Sequence, residues 1–238
     1  MSRRICSPTP PWAWCSVQKG LIYMQISQDD VDSILEQARR FYKAGGKSTN
    51  KRYDIANIPN PTEKHTRRNE GRDEKTAARN AFRTDAKSAR MTWAQVGQEI
   101  IVRNHQIGNC AEMSAVAVHL CIRRLSGRYG QMYIGHLRHP GDHNFVVLSI
   151  DGSMPPWTAI LAMTGIRDNN FWVIDCWANI ACPAMQYPYE LNDKLKSWSE
   201  QMKQVRVREH TWVDPNSGSY KRPLLTSALG WYSPYRLM

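Results

Sequence analysis

The stretch that most constrains the fold is an apolar, alanine-rich run that begins at Cys110 and includes Cys121. A small Gly108-Asn109 turn precedes it and Ser126-Gly127 follows it, so the sequence predicts a helix between these two points. Cys121, inside the run, is expected to be an ordinary buried thiol. We expect this helix to pack on the sheet that later parts of the chain form.

Four apolar runs after this helix are predicted to be strands, at about residues 130–138, 143–150, 157–163 and 170–176. The Asp151-Gly152 pair, which follows the second run, is a hairpin signal. Another helix is expected from Leu191 to about Val205. Helices followed by mostly antiparallel strands indicate an α+β fold.

The first hundred residues are predicted to be mainly helical. Ser27 is expected to cap a helix that ends at Gly45-Gly46 and has an apolar face. That face comprises Val31, Ile34, Leu35, Ala38 and Phe41. Residues 47–75 are polar and are interpreted as a long loop or linker. A second helical stretch is expected from about Thr76 to Arg103, with a break near Met91-Thr92.

These observations divide the chain into three parts. Residues 1–26 show no periodicity and are expected to be poorly ordered, residues 27–103 form a helical segment with a polar loop, and residues 104–238 form the core. The length of 238 residues suits one domain with an additional segment.

The net charge of +11 predicts attraction to an acidic partner, such as nucleic acid, an anionic membrane surface or an acidic protein. Arg79, Arg83, Lys87 and Arg90 fall on one face of the second helical stretch, which makes them a candidate anion-binding stripe. The plainer interpretation is a solvated helix face that Asp85 partly neutralises.

The remaining composition excludes several classes of protein. No apolar stretch approaches the roughly 20 residues that cross a membrane. The six cysteines form no Cys-x-x-Cys pair, so neither a disulfide framework nor a zinc site is expected, and no cofactor is predicted. Prolines at positions 8, 10 and 11 interrupt the start of the chain and argue against a secretory signal. The protein is therefore expected to be made in a reducing cytoplasm.

Cys110, His143 and Asp175 form the candidate catalytic set, because each stands at the end of an element. Cys110 opens the predicted helix, His143 precedes the apolar run at 145–148, and Asp175 ends the run at 171–174. Unpaired N–H groups at a helix N-terminus and a neighbouring imidazole favour a thiolate. A carboxylate on the other ring nitrogen fixes the tautomer. This order is what a thiol-based acyl-transfer enzyme needs.

A tetrahedral intermediate at this thiol would need an oxyanion hole. The backbone N–H of Cys110 is one expected donor. A side-chain amide just upstream is the second, for which Gln106 is favoured, with Asn104 and Asn109 as alternatives. Trp177 stands two positions after Asp175 and is a candidate wall of the substrate-binding slot. Its plainer interpretation is a tryptophan of the hydrophobic core.

Alternatives remain for each role. His136 and His139 lie close to His143 and either could be the base, while Asp151 and Asp168 are less convincing acids. Individually, Cys110 could be a small core residue, His143 a strand-end histidine with a backbone partner, and Asp175 a turn cap. Together, in this order, they favour the catalytic interpretation.

Three short runs resemble the papain-like (transglutaminase-like) cysteine enzymes of bacterial type III effectors and toxins. They are Gly-Asn-Cys-Ala-Glu-Met at 108–113, Asp-His-Asn-Phe-Val-Val at 142–147 and Val-Ile-Asp-Cys-Trp-Ala-Asn at 173–179. Similar proteins often have proline where this chain has Cys176. The resemblance covers roughly residues 104–200. It implies a papain-like core, catalytic roles for Cys110, His143 and Asp175, and export into a host cell by a specialised secretion system.

Two classes of function follow. The first is a cysteine hydrolase that attacks an amide of a protein through a thioester on Cys110, as a protease, a glutamine deamidase or a transglutaminase. The second is a non-enzymatic basic module that binds nucleic acid or an acidic protein through the stripe on residues 79–90. A third interpretation keeps the fold as an interaction domain with an inert thiol.

Overall fold

The computed structural model of the chain describes residues 26–45, 48–138, 142–165, 169–207 and 211–238. Within these ranges the helices are α1 (Gln28–Gly45), α2 (Glu63–Asn69), α3 (Arg72–Ser88), α4 (Trp93–Val102), α5 (Cys110–Arg124), α6 (Tyr187–Glu200) and α7 (Gly218–Thr226). The strands are β1 (Lys51–Tyr53), β2 (Gln131–Leu137), β3 (Asn144–Ser149), β4 (Phe171–Asp175), β5 (Ile180–Pro183), β6 (Lys203–Val207), β7 (Thr211–Val213) and β8 (Leu229–Tyr232). Of the stretch predicted to be poorly ordered, residues 1–26, the first 25 lie outside the described residues and Ile26 is buried. Gly46, His139 and Asp168 also lie outside the described residues.

The main sheet has five antiparallel strands in the order β5-β4-β3-β2-β8. Val146 of β3 lies opposite Ile174 of β4. Because the two strands run in opposite directions, the head of β3 lies beside the end of β4. This register brings His143, just before β3, to the same edge of the sheet as Asp175, the last residue of β4.

Helix α5 is the centre of the fold and packs on β3, β4, α1 and α4. Its residues Ala115, Val116, Ala117 and Val118 are fully buried. The backbones of α4 and α5 touch at Gly97, where a Cβ atom would lie 1.9 Å from the carbonyl oxygen of Ala115. Small side chains therefore allow the two helices to approach closely, and this contact fixes α5 against the sheet.

A second, three-stranded sheet in the order β1-β6-β7 joins distant parts of the chain. Lys51 of β1 lies opposite Val205 of β6. The edge of β1 is closed by a side chain, because Asn69 accepts from the Tyr53 N–H at 3.0 Å and donates to the Tyr53 carbonyl at 2.8 Å.

Several predictions from the sequence are confirmed. The fold is α+β and its strand pairs are antiparallel. Helix α1 buries Val31, Ile34, Leu35 and Ala38, as expected, although Tyr42 is buried where Phe41 is only half-buried. The break near Met91-Thr92 separates α3 from α4, and the Thr92 side chain caps α4 by accepting from the Gln95 N–H at 3.3 Å.

Other predictions are wrong. Residues 47–75 are not a loop, since they contain β1, a 3-10 turn at Ile55–Asn57, α2 and the start of α3. Residues 157–163 form no strand, because the buried residues Trp157, Ile160 and Met163 are three positions apart and part of the run is a 3-10 helix.

The remaining differences concern the later part of the chain. Asp151-Gly152 does not close a hairpin, because β4 begins only at Phe171. The helix predicted from Leu191 to Val205 begins earlier, at Tyr187, and ends at Glu200, with Pro188 in its first turn. No helix in the described part of the chain is both long and apolar enough to cross a membrane.

Candidate active site

Cys110 is the first residue of α5, and its surroundings hold the start of this helix in place. The carboxylate of Glu112 accepts from the N–H of Asn109 at 2.8 Å. The side-chain oxygen of Asn109 accepts from the N–H groups of Thr49 and Asn50 at 2.9 and 3.2 Å. Cys110 itself is 5% exposed. The thiol therefore lies at the positive end of a helix whose first turn is fixed by the preceding part of the chain.

His143 connects the thiol to the carboxylate. Its Nε2 lies 2.7 Å from Oδ2 of Asp175, and Cys110 is close enough to the ring to help raise the pKa of His143. Since Asp175 occupies Nε2, the ring nitrogen left for Cys110 is Nδ1. Both His143 and Asp175 are buried, with exposed fractions of 1% and 0%. The three residues that the sequence predicts are thus brought together in the predicted order.

Asp175 accepts hydrogen bonds from three groups. In addition to the bond with His143, its Oδ2 accepts from the hydroxyl of Tyr187 at 2.8 Å and its Oδ1 from the N–H of Ala178 at 2.9 Å. Burial opposes ionisation, but His143 and these donors together lower the pKa of Asp175 below its usual value. The carboxylate is therefore held ionised inside the protein.

The charge on Asp175 determines the protonation of His143. Burial of the ring lowers its pKa, but the negative charge and hydrogen bond of Asp175, with a smaller contribution from Cys110, outweigh it and raise the pKa of His143. A positive imidazolium next to a sulfur favours the thiolate form of that sulfur. The site therefore pairs a positively charged imidazolium with the sulfur of Cys110.

Trp177 covers this pair. Its ring centroid lies 5.0 Å from that of His143, and its exposed fraction is 2%. Its Nε1–H donates to Oδ1 of Asn50 at 2.8 Å, and the Lys51 ammonium donates to its carbonyl at 2.6 Å. Trp177 thus excludes water from the histidine and also lines a cavity of about 670 Å³. That cavity has Cys176 and Met113 in its wall but not Cys110, so it lies at the acid end of the site.

Asn144 is a residue that the sequence analysis missed. Its Nδ2 lies 3.7 Å from the sulfur of Cys110, while its Oδ1 lies 2.9 Å from Nδ1 of His136. His136 and Asn144 are opposite each other in the register of β2 and β3, so their side chains meet. An amide oxygen only accepts, so His136 donates from Nδ1 and turns the amide N–H groups towards the thiol.

The other predicted site residues have hydrogen-bond or ring partners of their own. The side-chain amide of Gln106 is half-buried and donates to Oδ1 of Asn104 at 3.0 Å. His136, the alternative base, contacts Asn144 and Tyr232. Asp151, an alternative acid, is exposed and accepts from Ser149 and Ser153.

The predicted basic stripe is not a uniform surface. Arg83 forms an ion pair with the buried Glu112 at 3.4 Å, and Arg79 donates to Asn80 at 3.0 Å. Lys87 and Arg90 are exposed, but Arg90 lies beyond the end of α3. One of the four cations, Arg83, is therefore paired with a buried acid of the fold.

Two supporting residues had no signal in the sequence. Tyr187 and Lys51 reach the site from α6 and β1, and neither is near Asp175 in the chain. Asn144, by contrast, follows His143 directly, so its position was visible although its role was not. Comparison of the chain with protein-family models, with curated proteins and with solved structures found no match, and what the site does must be inferred from its geometry.

Proposed function

We propose that the protein is a cysteine-dependent amide hydrolase that acts on a protein substrate through a thioester on Cys110. The observation that carries this proposal is one buried site in which His143 bonds to Asp175 through Nε2 and lies next to Cys110, whose sulfur is 3.7 Å from the amide of Asn144. The arrangement of a cysteine helix against antiparallel strands that hold histidine and aspartate supports a papain-like core. The resemblance in residues 108–113, 142–147 and 173–179 supports a host-cell protein as target, with delivery by a specialised secretion system.

The geometry supports a two-step reaction. The thiolate of Cys110 attacks the amide carbon, and the imidazolium of His143 gives its proton to the departing nitrogen, which leaves a thioester and a neutral ring. His143 then removes a proton from water, which attacks the thioester and releases the acid and the thiolate, so that the thiolate and the imidazolium are restored. Asp175 keeps the ring oriented and stabilises its charged form in each cycle. A glutamine side chain would yield ammonia, and a peptide bond would yield a free amine.

The alkylation of Cys110 tests this proposal without a known substrate. In a Cys6→Ser, Cys15→Ser background, the thiols to compare are Cys110, Cys121, Cys176 and Cys182. Burial raises the pKa of Cys121, Cys176 and Cys182 well above the usual value of a thiol, so these three remain protonated. We expect iodoacetamide to label Cys110 first at pH 6 to 7, as measured by mass spectrometry of tryptic peptides.

The matched variant is His143→Ala, which removes the imidazolium. We expect its rate of Cys110 alkylation at pH 6 to fall by about tenfold or more, and the loss to shrink as the pH rises towards 9, where a thiol of ordinary pKa ionises without a neighbouring cation. If Cys110 reacts no faster than the three buried thiols, or if His143→Ala leaves its rate unchanged at pH 6, the hydrolase proposal is wrong.

Asn144 is the second oxyanion donor that the geometry favours, together with the backbone N–H of Cys110. Its Nδ2 approaches the sulfur at 3.7 Å, so an oxygen on a carbon bonded to that sulfur is within its reach. We expect Asn144→Ala to reduce the acylation of Cys110 by p-nitrophenyl acetate by about 100-fold or more. The release of p-nitrophenol measures this rate, and Gln106→Ala is the control, expected to change it by less than about threefold. A larger loss of acylation rate in Gln106→Ala than in Asn144→Ala would assign the role of second oxyanion donor to Gln106.

A further inference from the structure

A groove of about 400 Å³ lies beside the loop that follows Asp175, and it differs from the cavity behind Trp177 in its charge. Six of the residues that line it are cationic: Arg39, Lys51, Arg52, Lys64, Lys194 and Lys203. No aspartate or glutamate of the described residues lines it. The groove therefore concentrates positive charge in a concave space, where the attraction for an anion is greater than on a flat surface.

The groove is joined to the catalytic site by two contacts. Ala178 and Asn179, which line it, follow Asp175 in the chain, and the N–H of Ala178 donates to the Asp175 carboxylate at 2.9 Å. Lys51, in its wall, donates to the carbonyl of Trp177. A chain that lies in this groove would pass next to the residues that hold His143.

The aromatic rings of the groove decide which anion it suits. Tyr53 and Trp198 are each 6% exposed. The Lys51 ammonium lies 4.4 Å from the Trp198 ring centroid and that of Lys203 lies 5.5 Å from the Tyr53 ring centroid, so cations cover these rings. A single-stranded nucleic acid needs open aromatic faces on which its bases stack. Carboxylate side chains need only the cationic groups, which the groove supplies.

We propose that this groove binds an acidic segment of the polypeptide substrate, whose carboxylates pair with the ammonium and guanidinium groups of its wall. The part of this inference that calls the ligand a substrate rests on the proposed function. The binding itself does not depend on the thiol. It can therefore be measured on a Cys110→Ala protein, which cannot react with the ligand.

The test uses fluorescein-labelled hexaglutamate and fluorescence anisotropy at low ionic strength. Lys64 is exposed and Lys194 half-buried, and the double variant Lys64→Glu, Lys194→Glu reverses two charges of the groove. We expect it to weaken binding by about tenfold or more, and added salt to weaken binding of the unmodified groove. The control is Lys87→Glu, Arg90→Glu on the predicted stripe, which has the same change in net charge and is expected to alter the affinity by less than about twofold.

Several outcomes would overturn the inference. An equal loss of affinity for hexaglutamate in the two double variants would show that the peptide is attracted to the overall charge of the protein and not to the groove. Tighter binding of a thymidine oligonucleotide with the same number of charges, with the same sensitivity to the groove variant, would make it a nucleic-acid site. The neutral pair Lys64→Gln, Lys194→Gln guards against misfolding and should show an intermediate loss. Rapid alkylation of Cys110 without peptide binding would contradict this inference alone, and the converse result would contradict the proposed function alone.

Discussion

Replacing Asp175 with alanine is expected to lower the free energy of unfolding by about 3–5 kcal/mol, because it leaves buried polar groups without their acceptor. His143, Tyr187 and the N–H of Ala178 all donate to this carboxylate, at 2.7 to 2.9 Å. The same change removes the charge that keeps His143 protonated, so alkylation of Cys110 at pH 6 should fall as it does in His143→Ala. Urea unfolding monitored by tryptophan fluorescence measures the change in the free energy of unfolding.

The stability that Asp175→Ala loses depends on pH, because the pKa values of both Asp175 and His143 are shifted in the folded protein. The pKa of Asp175 is lowered in the folded protein, so its contribution is present above about pH 4, its unfolded value, and is lost as the pH falls through the folded value. The pKa of His143 is raised, so its contribution is complete below about pH 6.5 and is lost as the pH rises through the folded value. We therefore expect the largest difference between wild type and Asp175→Ala between about pH 4 and 6.5.

Asp151→Ala is the matched control for Asp175→Ala. Asp151 also accepts from several donors, namely the Ser149 hydroxyl, the Ser153 N–H and Asn170, but it is exposed to water. Water can replace it as a partner, so the loss should be about 1 kcal/mol or less. A comparable loss in both variants would mean that burial does not strengthen the Asp175 network.

Replacing Gly97 with alanine is expected to destabilise the protein by about 3 kcal/mol or more. The added Cβ would meet the carbonyl oxygen of Ala115 at 1.9 Å and its carbonyl carbon at 2.6 Å. These are backbone atoms, so the overlap can be relieved only by moving α4 away from α5. Because α5 carries Cys110, we also expect slower alkylation of this thiol in the variant that remains folded. Thermal unfolding by circular dichroism measures the loss of stability.

The control for this substitution is Gly218→Ala. Gly218 is the first residue of α7, and nothing lies within 4 Å of the position that its Cβ would take. Alanine favours helices over glycine, so this variant should be unchanged or more stable by up to about 1 kcal/mol. A stable Gly97→Ala protein would show that the two helices separate at little cost.

The sequence predicts the part of the site that depends on local pattern. The apolar helix that starts at Cys110 and the apolar runs after His143 and before Asp175 were each visible as unbroken segments. Because the three residues stand at the ends of these segments, the pairing of neighbouring antiparallel strands brings His143 and Asp175 to one end of the sheet. The α+β class followed from the same segments.

The other features of the fold and of the site depend on contacts between residues that are distant in the chain, which no local sequence pattern shows. Strand β1 is only three residues long and pairs with β6 from a distant part of the chain, so the local sequence predicts a loop over residues 47–75. The sequence favours Gln106 as an amide donor because it is near Cys110 in the chain. The amide that approaches the thiol belongs to Asn144, which is placed there by the pairing of β2 with β3. Tyr187 and Lys51 are determined in the same way by tertiary packing.

These pairings between distant parts of the chain determine when, during synthesis, the site can be completed. The segment around Asn50 and Lys51, which contacts Trp177, is held by β6, and His136, which orients Asn144, stacks on Tyr232 of β8. A nascent chain that has emerged only as far as β4 already contains Cys110, His143 and Asp175 but lacks both of these supports. Acquisition of reactivity at Cys110 is therefore expected to follow the synthesis of β6 and β8, instead of accompanying that of Cys110, His143 and Asp175.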